Sequence, residues 1–187
     1  MKNLIFTILF VCIIVSCKTN SISNTAELSH SSSEILFQVK TNDKDDLEIF
    51  EDGIIPWISI KDPKPVINNL IGKDEIVINK DIVTLIIDYP LKNTVEIKIK
   101  SNNSKGFTRK ELAQKISKEY NKIYIEEEQS AKTKTIPQDQ RKGTYNRNRT
   151  DGKYGIWGQD IDDLDLSAIV VRKSKSGEIK IELYVES

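Results

Sequence analysis

The chain has 187 residues, of which 38% are hydrophobic and 30% are charged. This length and composition suit one globular domain with a single core and short appendages. Because 28 basic residues balance 28 acidic ones, no overall field attracts nucleic acid, and we expect none as a partner. Electrostatic recognition must then come from local patches.

The N-terminus has the pattern of a signal peptide. Lys2 precedes an apolar run from Leu4 to Val15, which is too short to span a membrane. The run leads into Ile14-Val15-Ser16-Cys17, which resembles the lipobox of bacterial lipoproteins. This resemblance implies that residues 1–16 are removed and that acyl chains on Cys17 anchor the protein in a bilayer. The alternatives are an ordinary secretory signal or an uncleaved anchor, in which Cys17 is incidental.

The residue after the lipobox bears on localisation. Lys18 stands where Asp favours inner-membrane retention in enterobacteria, so the resemblance implies an exported protein anchored to the outer membrane. Cys12 lies in the segment to be removed, and lipid would block Cys17. The mature chain would therefore have no free thiol, which excludes thiol catalysis and cysteine-based zinc sites.

Residues 17–34 are rich in Ser, Thr and Asn, a composition that predicts a flexible tether. They include His30, the only histidine. We therefore expect neither a His-dependent triad nor a typical catalytic zinc site in the folded domain, which we place at residues 35–187.

The first half of that domain predicts strands. Apolar residues alternate with polar ones at 35–39 and at 95–100, the pattern of half-buried strands. The nearly continuous β-branched run at 82–89 predicts a central strand buried on both faces. Weaker strand patterns occur at 57–60 and 75–78.

A helix follows at about residues 108–128. Thr108 and Glu111 form a capping box, and Phe107 and Leu112 occupy the two positions of a hydrophobic staple. The apolar stripe that follows predicts a helix lying across the sheet, with its tyrosines in the core. Its members are Leu112, Ile116, Tyr120, Ile123 and Tyr124.

The C-terminal part predicts a long polar loop at 130–143 and then a β-hairpin. The hairpin strands are 166–172 and 179–185, with the turn at 174–177. Together these elements predict an α+β fold: an antiparallel or mixed sheet, with the helix packed on one face.

The stretch from 143 to 166 is the most specialised in the chain. Residues 132–153 carry seven basic and two acidic side chains, a local net charge of 7 − 2 = +5, interleaved with Tyr145 and Tyr154. Arginine forks bind carboxylate or phosphate, and aromatic faces bind rings. The alternative is a solvated loop whose charge is neutralised within the protein by the acids downstream.

The motif Tyr154-Gly-Ile-Trp-Gly158 leads into an acidic run. The glycines on either side of Ile156 and Trp157 allow positive φ at a turn, and we favour a buried Trp157 over a ligand-stacking one. In a short helical turn, Ile161 and Leu164 would point inward and the acids outward.

Clustered carboxylates also suit calcium, which makes Asp160, Asp162 and Asp163 candidate metal ligands. The run does not match the EF-hand pattern, however, and we assign no metal or cofactor. In an enzyme, one of these acids would act with a second carboxylate such as Asp88, as in glycoside hydrolysis.

Residues 85–172 resemble a small set of uncharacterised single-domain proteins. These have a helix similar to FTRKELAQKISKEYNKIYIEEE and, after it, a stretch similar to YGIWGHDIxDLxL. The matching positions are Phe107, Thr108, Leu112, Tyr120, Ile123, Tyr124, Tyr154, Gly155, Ile156, Trp157, Gly158, Asp160, Ile161, Asp163 and Leu164. Gln159 replaces the histidine of that set. The resemblance implies no activity, but it implies that helix and motif form one unit.

The sequence therefore favours a membrane-anchored envelope protein that acts as a binding module rather than an enzyme. Its partner would be an envelope protein, a glycan or an anionic ligand. The alternatives are a carboxylate-dependent hydrolase or metal-binding enzyme, and a purely structural motif with the function elsewhere. The candidate binding residues are Arg147, Arg149, Tyr154, Trp157, Asp160 and Asp163.

Overall fold

A computed structural model describes residues 32–143 and 146–187. The predicted signal peptide, most of the predicted tether with Cys17 and His30, and Tyr145 lie outside the described residues. In chain order the elements are β1 (Ser32–Leu36), β2 (Val39–Lys40), α1 (Lys44–Ile49), β3 (Ile54–Ile55), β4 (Ile58–Ser59), β5 (Ile76–Ile78), β6 (Ile82–Ile87), β7 (Val95–Lys100), β8 (Phe107–Thr108), α2 (Arg109–Ser130), β9 (Asp165–Lys173) and β10 (Ile179–Glu186). Short 3-10 turns lie at Ile67–Asn69, Gln138–Gln140 and Ile161–Asp163.

The main sheet has six strands. Five follow the order β1-β9-β10-β6-β7, and β4 pairs with β9 beyond the end of β1. Only β10 and β6 run parallel, while the other pairs are antiparallel. The structure confirms the predicted α+β fold, with a mixed sheet, one main helix and a C-terminal hairpin formed by β9 and β10.

One face of the sheet carries the core. Leu85, Ile169 and Ile181 are fully buried in a single cluster that includes the stripe of α2. The opposite face is open at Ile82 and Tyr184, which are 50% and 54% exposed. The prediction that β6 is buried on both faces nevertheless holds for most of the strand, because on this second face Thr84 is 4% exposed and Ile86 is partly buried.

The helix α2 begins and packs as its sequence indicates. The Thr108 hydroxyl accepts a hydrogen bond from the Glu111 amide at 3.2 Å, and the staple residues Phe107 and Leu112 are fully buried. The second half of the capping box differs, because the Glu111 carboxylate accepts from the Asn102 amide instead. Within 32–143 and 146–187, no helix has the length and apolar character needed to cross a membrane.

Candidate functional site: a cleft beside the connector

We call the segment between α2 and β9, residues 131–143 and 146–164, the connector. Its centre is tied to the loop that follows β6. Leu91 in that loop forms a β-bridge with Ile156, and the Lys92 amide donates to the Tyr154 carbonyl at 3.1 Å. Within the connector itself, Arg147 and Gly158 form a second β-bridge. Two segments about 60 residues apart in sequence therefore build one surface.

The interior of this surface is organised by Glu127, near the end of α2. Its side chain is fully buried. The carboxylate accepts hydrogen bonds from the Thr150 hydroxyl at 2.5 Å and from three backbone amides, those of Gly152 at 2.9 Å, Tyr154 at 2.7 Å and Gly155 at 3.1 Å. Burial alone would raise the pKa of Glu127, but these hydrogen bonds outweigh it and hold the pKa below its ordinary value. Glu127 therefore fastens the connector to the helix as a carboxylate.

Gly152 is required by this arrangement. A Cβ at that position would lie 2.6 Å from the Glu127 carbonyl oxygen and 2.7 Å from its carboxylate. Gly155 and Gly158 instead have positive φ, 68° and 79°, as expected for glycines flanking a turn. The three glycines thus serve two purposes, close approach and turn geometry.

Arg147 is also part of the interior. It is 5% exposed, and its guanidinium donates to the hydroxyls of Thr150 and Thr135 and to the Ile156 carbonyl. It also lies 5.6 Å from the centre of the Tyr124 ring. Burial lowers the pKa of Arg147, yet arginine stays charged in proteins, so this guanidinium is a buried structural cation.

Asp160 neutralises part of the basic stretch. Its two carboxylate oxygens lie 2.6 and 2.9 Å from the two terminal nitrogens of Arg141, and the nearer Arg147 nitrogen is 3.8 Å away. Burying such charges is tolerated when they are paired and hydrogen-bonded. The alternative, that acids downstream neutralise the basic stretch within the protein, therefore holds for Arg141 and Arg147.

The acidic run forms the predicted short helical turn. Leu164 is fully buried, and the Asp163 carboxylate accepts from the Asp160 amide at 3.2 Å. Asp162 is exposed and pairs with Lys61. Among the described residues, no group of three or more His, Cys, Asp or Glu side chains is placed to hold a metal ion.

The two aromatic side chains of the motif have opposite environments. Tyr154 is 6% exposed, and its hydroxyl donates to Glu126. Trp157 is 45% exposed, with its ring edge-to-face against Tyr89 at 5.7 Å between ring centres. The prediction of a buried Trp157 was wrong because its neighbour Ile156 occupies the buried position.

A cleft of about 370 Å³ opens beside the connector. We call it the connector cleft, and its lining residues are Lys92, Asn93, Thr133, Arg149, Thr150, Asp151, Gly152 and Gly155. The side chains of Lys92 and Arg149 are exposed, and neither has an ion pair or hydrogen bond within the described part of the chain. The Asp151 carboxylate accepts from the amides of Lys132 and Thr133, and the Thr133 bond is the main cause that lowers the pKa of Asp151.

The structure thus divides the six predicted binding residues. Arg147, Tyr154 and Asp160 belong to the interior of the connector, whereas Arg149, Trp157 and Asp163 are exposed. Of these, only Arg149 lines the connector cleft. The acid proposed as a partner in catalysis, Asp88, lines a separate concavity of about 220 Å³ on the open face of the sheet, and none of Asp160, Asp162 and Asp163 lines that concavity.

Sequence analysis missed two groups of residues. Lys92 and Asn93 reach the cleft only through the pairing of Leu91 with Ile156, which no local pattern reveals. Glu127, in contrast, left a signal, because it continues the buried stripe of α2 four residues after Ile123. A carboxylate on a buried stripe requires donors, and the connector supplies them.

Known proteins give no further guide to this site. No protein family, curated protein or solved structure matches the chain.

Proposed function

We propose that the protein is a lipid-anchored envelope protein whose connector cleft binds an anionic ligand. The observation that carries the proposal is a pair of cations on the walls of one cleft, Lys92 and Arg149, whose side chains have no partner among residues 32–143 and 146–187. Guanidinium and ammonium groups both bind carboxylate and phosphate oxygens, and the arginine fork adds geometric specificity.

The walls of the cleft support this proposal because hydrogen bonds to other parts of the protein fix their backbone. The backbone between Thr150 and Gly155 is fixed by the Glu127 carboxylate. On the opposite wall, the Lys92 amide is bonded to the Tyr154 and Gly155 carbonyl oxygens, at 3.1 and 3.2 Å. A site built on fixed backbone loses less freedom when a ligand binds.

The anchor belongs to the same proposal and rests on the lipobox resemblance. Residues 18–31 separate Cys17 from the start of β1. A tether of that length and of the predicted flexibility would have an average reach of about 20 Å, so the domain would stay close to the membrane surface. In cells supplied with labelled palmitate, the wild type should take up label and sediment with the outer membrane. A Cys17→Ser variant that does both equally well would rule out this anchor.

The binding role is tested by photo-crosslinking on intact envelopes, with the double variant Lys92→Ala/Arg149→Ala compared with the wild type. We expect the variant to lose capture of its envelope ligand while its melting temperature stays unchanged, since both side chains are exposed and make no side-chain contact that the described part of the chain shows.

A matched control removes two cations elsewhere. Lys98 and Lys100 are exposed on β7, and Lys98→Ala/Lys100→Ala should capture ligand as the wild type does. Equal capture by all three folded proteins would show that the cleft is not the recognition site. Equal loss of capture in both double variants would mean that the net charge of the protein, and not the cleft, determines capture.

A further inference from the structure

We infer that the ligand is an acidic saccharide whose anionic group lies between Lys92 and Arg149 and whose neighbouring sugar ring lies against Trp157. This inference rests on the proposed function, because it names the ligand class of the same cleft.

The charges of the cleft favour a ligand with one anionic group at this position. Lys92 and Arg149 contribute two positive charges, and the exposed Asp151 carboxylate contributes one negative charge. The local net charge is therefore 2 − 1 = +1. A densely charged polyphosphate would meet the Asp151 carboxylate as a like charge, which disfavours it.

The uncharged groups of the cleft favour a ligand that also donates hydrogen bonds. The amide nitrogen of Asn93 donates to the Lys153 carbonyl at 3.2 Å, which leaves the Asn93 side-chain oxygen as an acceptor. The Asp151 carboxylate is a second acceptor and the Thr133 hydroxyl a third. A sugar acid combines one anionic group with several hydroxyl donors. It therefore matches both the two cations and the three acceptors of the cleft.

Trp157 extends the site beyond one sugar ring. Its backbone amide donates to the Pro90 carbonyl at 3.2 Å, while Lys92 lies two residues further along the same segment. Trp157 is also two residues from Gly155, which lines the cleft. Two residues span at most about 7 Å, so Trp157 lies beside the cleft without lining it. The edge-to-face contact with Tyr89 holds the ring in place, and its exposed part offers an apolar surface with little ordering cost.

The test is a calorimetric titration of the full-length lipidated protein in detergent. The probes are a uronic acid monomer, a hexamer of the same uronic acid, the neutral hexose hexamer and inorganic phosphate. We expect the acidic hexamer to bind at least tenfold more tightly than the neutral hexamer, and Lys92→Ala/Arg149→Ala to remove most of this difference. Lys98→Ala/Lys100→Ala should leave it unchanged.

Trp157→Ala tests the contact with the second sugar ring separately from the contact of the first ring with the cleft. It should weaken binding of the acidic hexamer at least fivefold and leave binding of the uronic acid monomer unchanged, since the monomer occupies only the cleft. Circular dichroism would verify that the variant is folded, as expected for a side chain that is 45% exposed.

Each other outcome overturns a defined part of the inference. Equal affinity for the acidic and neutral hexamers would overturn the acidic saccharide. Tighter binding of phosphate, with the same dependence on Lys92 and Arg149, would overturn the saccharide but keep the anion cleft. If no probe binds and the envelope capture also does not depend on Lys92 and Arg149, both the inference and the proposed function fail.

Discussion

Arg147 and Arg149 stand two residues apart in the same basic stretch, yet they do opposite things. Arg147 is 5% exposed and contacts two hydroxyls, a carbonyl, a carboxylate and an aromatic ring. Arg149 is exposed and has no side-chain partner in the described residues. A regular strand would place both side chains on one face, but here the buried side chains are those of Arg147 and of Thr150, which is 1% exposed, and these two residues are three apart.

The comparison shows that residues which contribute to one local net charge need not lie on one surface. The inner part of the connector holds charges whose desolvation is offset by partners, with Asp160 between two arginines and Glu127 among four donors. The outer part holds Arg149, whose side chain has no partner among the described residues and so remains available to a ligand. Stability and recognition are therefore assigned to different residues of a single segment.

The sharpest way to break the inner part is Glu127→Ala. It would leave three backbone amides without their acceptor, while the Thr150 hydroxyl would keep its contact with the Ile156 carbonyl at 3.3 Å. Each buried donor left unsatisfied costs about 1–3 kcal/mol. Water would enter the space left by the carboxylate and satisfy some of these donors. We therefore expect a loss of about 3–5 kcal/mol in the free energy of unfolding, measured by urea denaturation.

Glu119→Ala is the matched control on the same helix. Glu119 is only half-buried and has no ion pair or hydrogen bond among the described residues, so its loss should change the stability by about 0.5 kcal/mol or less. If both alanine variants unfolded at the same urea concentration, the central role assigned to Glu127 would be wrong.

Arg147→Ala and Arg149→Ala test the comparison directly. We expect Arg147→Ala to lower the free energy of unfolding by about 2–4 kcal/mol, because it removes the hydrogen bonds to Thr135, Thr150 and Ile156 and opens a cavity beside Tyr124. Arg149→Ala should stay within about 0.5 kcal/mol of the wild type. Thermal and urea unfolding of the two variants would measure the difference.

Arg147→Lys sharpens the test further. Lysine keeps the charge but lacks the planar fork, so it should not restore the contacts with Thr135, Thr150 and Ile156. Similar losses for Arg147→Ala and Arg149→Ala would mean that burial does not divide the stretch as the structure indicates.

The parts of the fold that the sequence predicted depend on local patterns. The alternation at 95–100 became β7, the stripe from Leu112 became α2, and the patterns flanking 174–177 became β9 and β10. The helix α1 was missed because its six residues bury no side chain and so give no apolar stripe. Its start was still readable, since Asp43 caps it by accepting from the amides of Asp45 and Asp46.

The site was predictable only in part, for physical reasons. Composition singled out the connector, but which of its side chains turn inward depends on the tertiary fold, as the buried Ile156 and half-exposed Trp157 show. The opposite wall, with Lys92 and Asn93, comes from a pairing between distant segments. Such a pairing depends on the tertiary fold and has no periodicity in the sequence.

The smallest expected effect is on the free energy of unfolding at low pH, and it follows from the directions of three pKa shifts. Hydrogen bonds from Lys153 and Tyr154 lower the pKa of Glu126 to about 2, and the pKa of Glu127 is also lowered. An unfolded Glu titrates near about 4.3. Below that value the unfolded chain binds more protons than the folded one, so stability is full above pH 4.3 and falls as the pH approaches 2.

Urea midpoints at pH 6, 5, 4 and 3 would measure this fall. Glu126→Gln cannot take up the proton, so its midpoint should fall less steeply than that of the wild type. Asp165 provides the opposite sign, because burial and then Glu186 raise its pKa, and its protonation at low pH favours the folded state. Asp165→Asn should therefore make the fall steeper. Parallel curves for all three proteins would mean that the acid sensitivity does not come from these carboxylates.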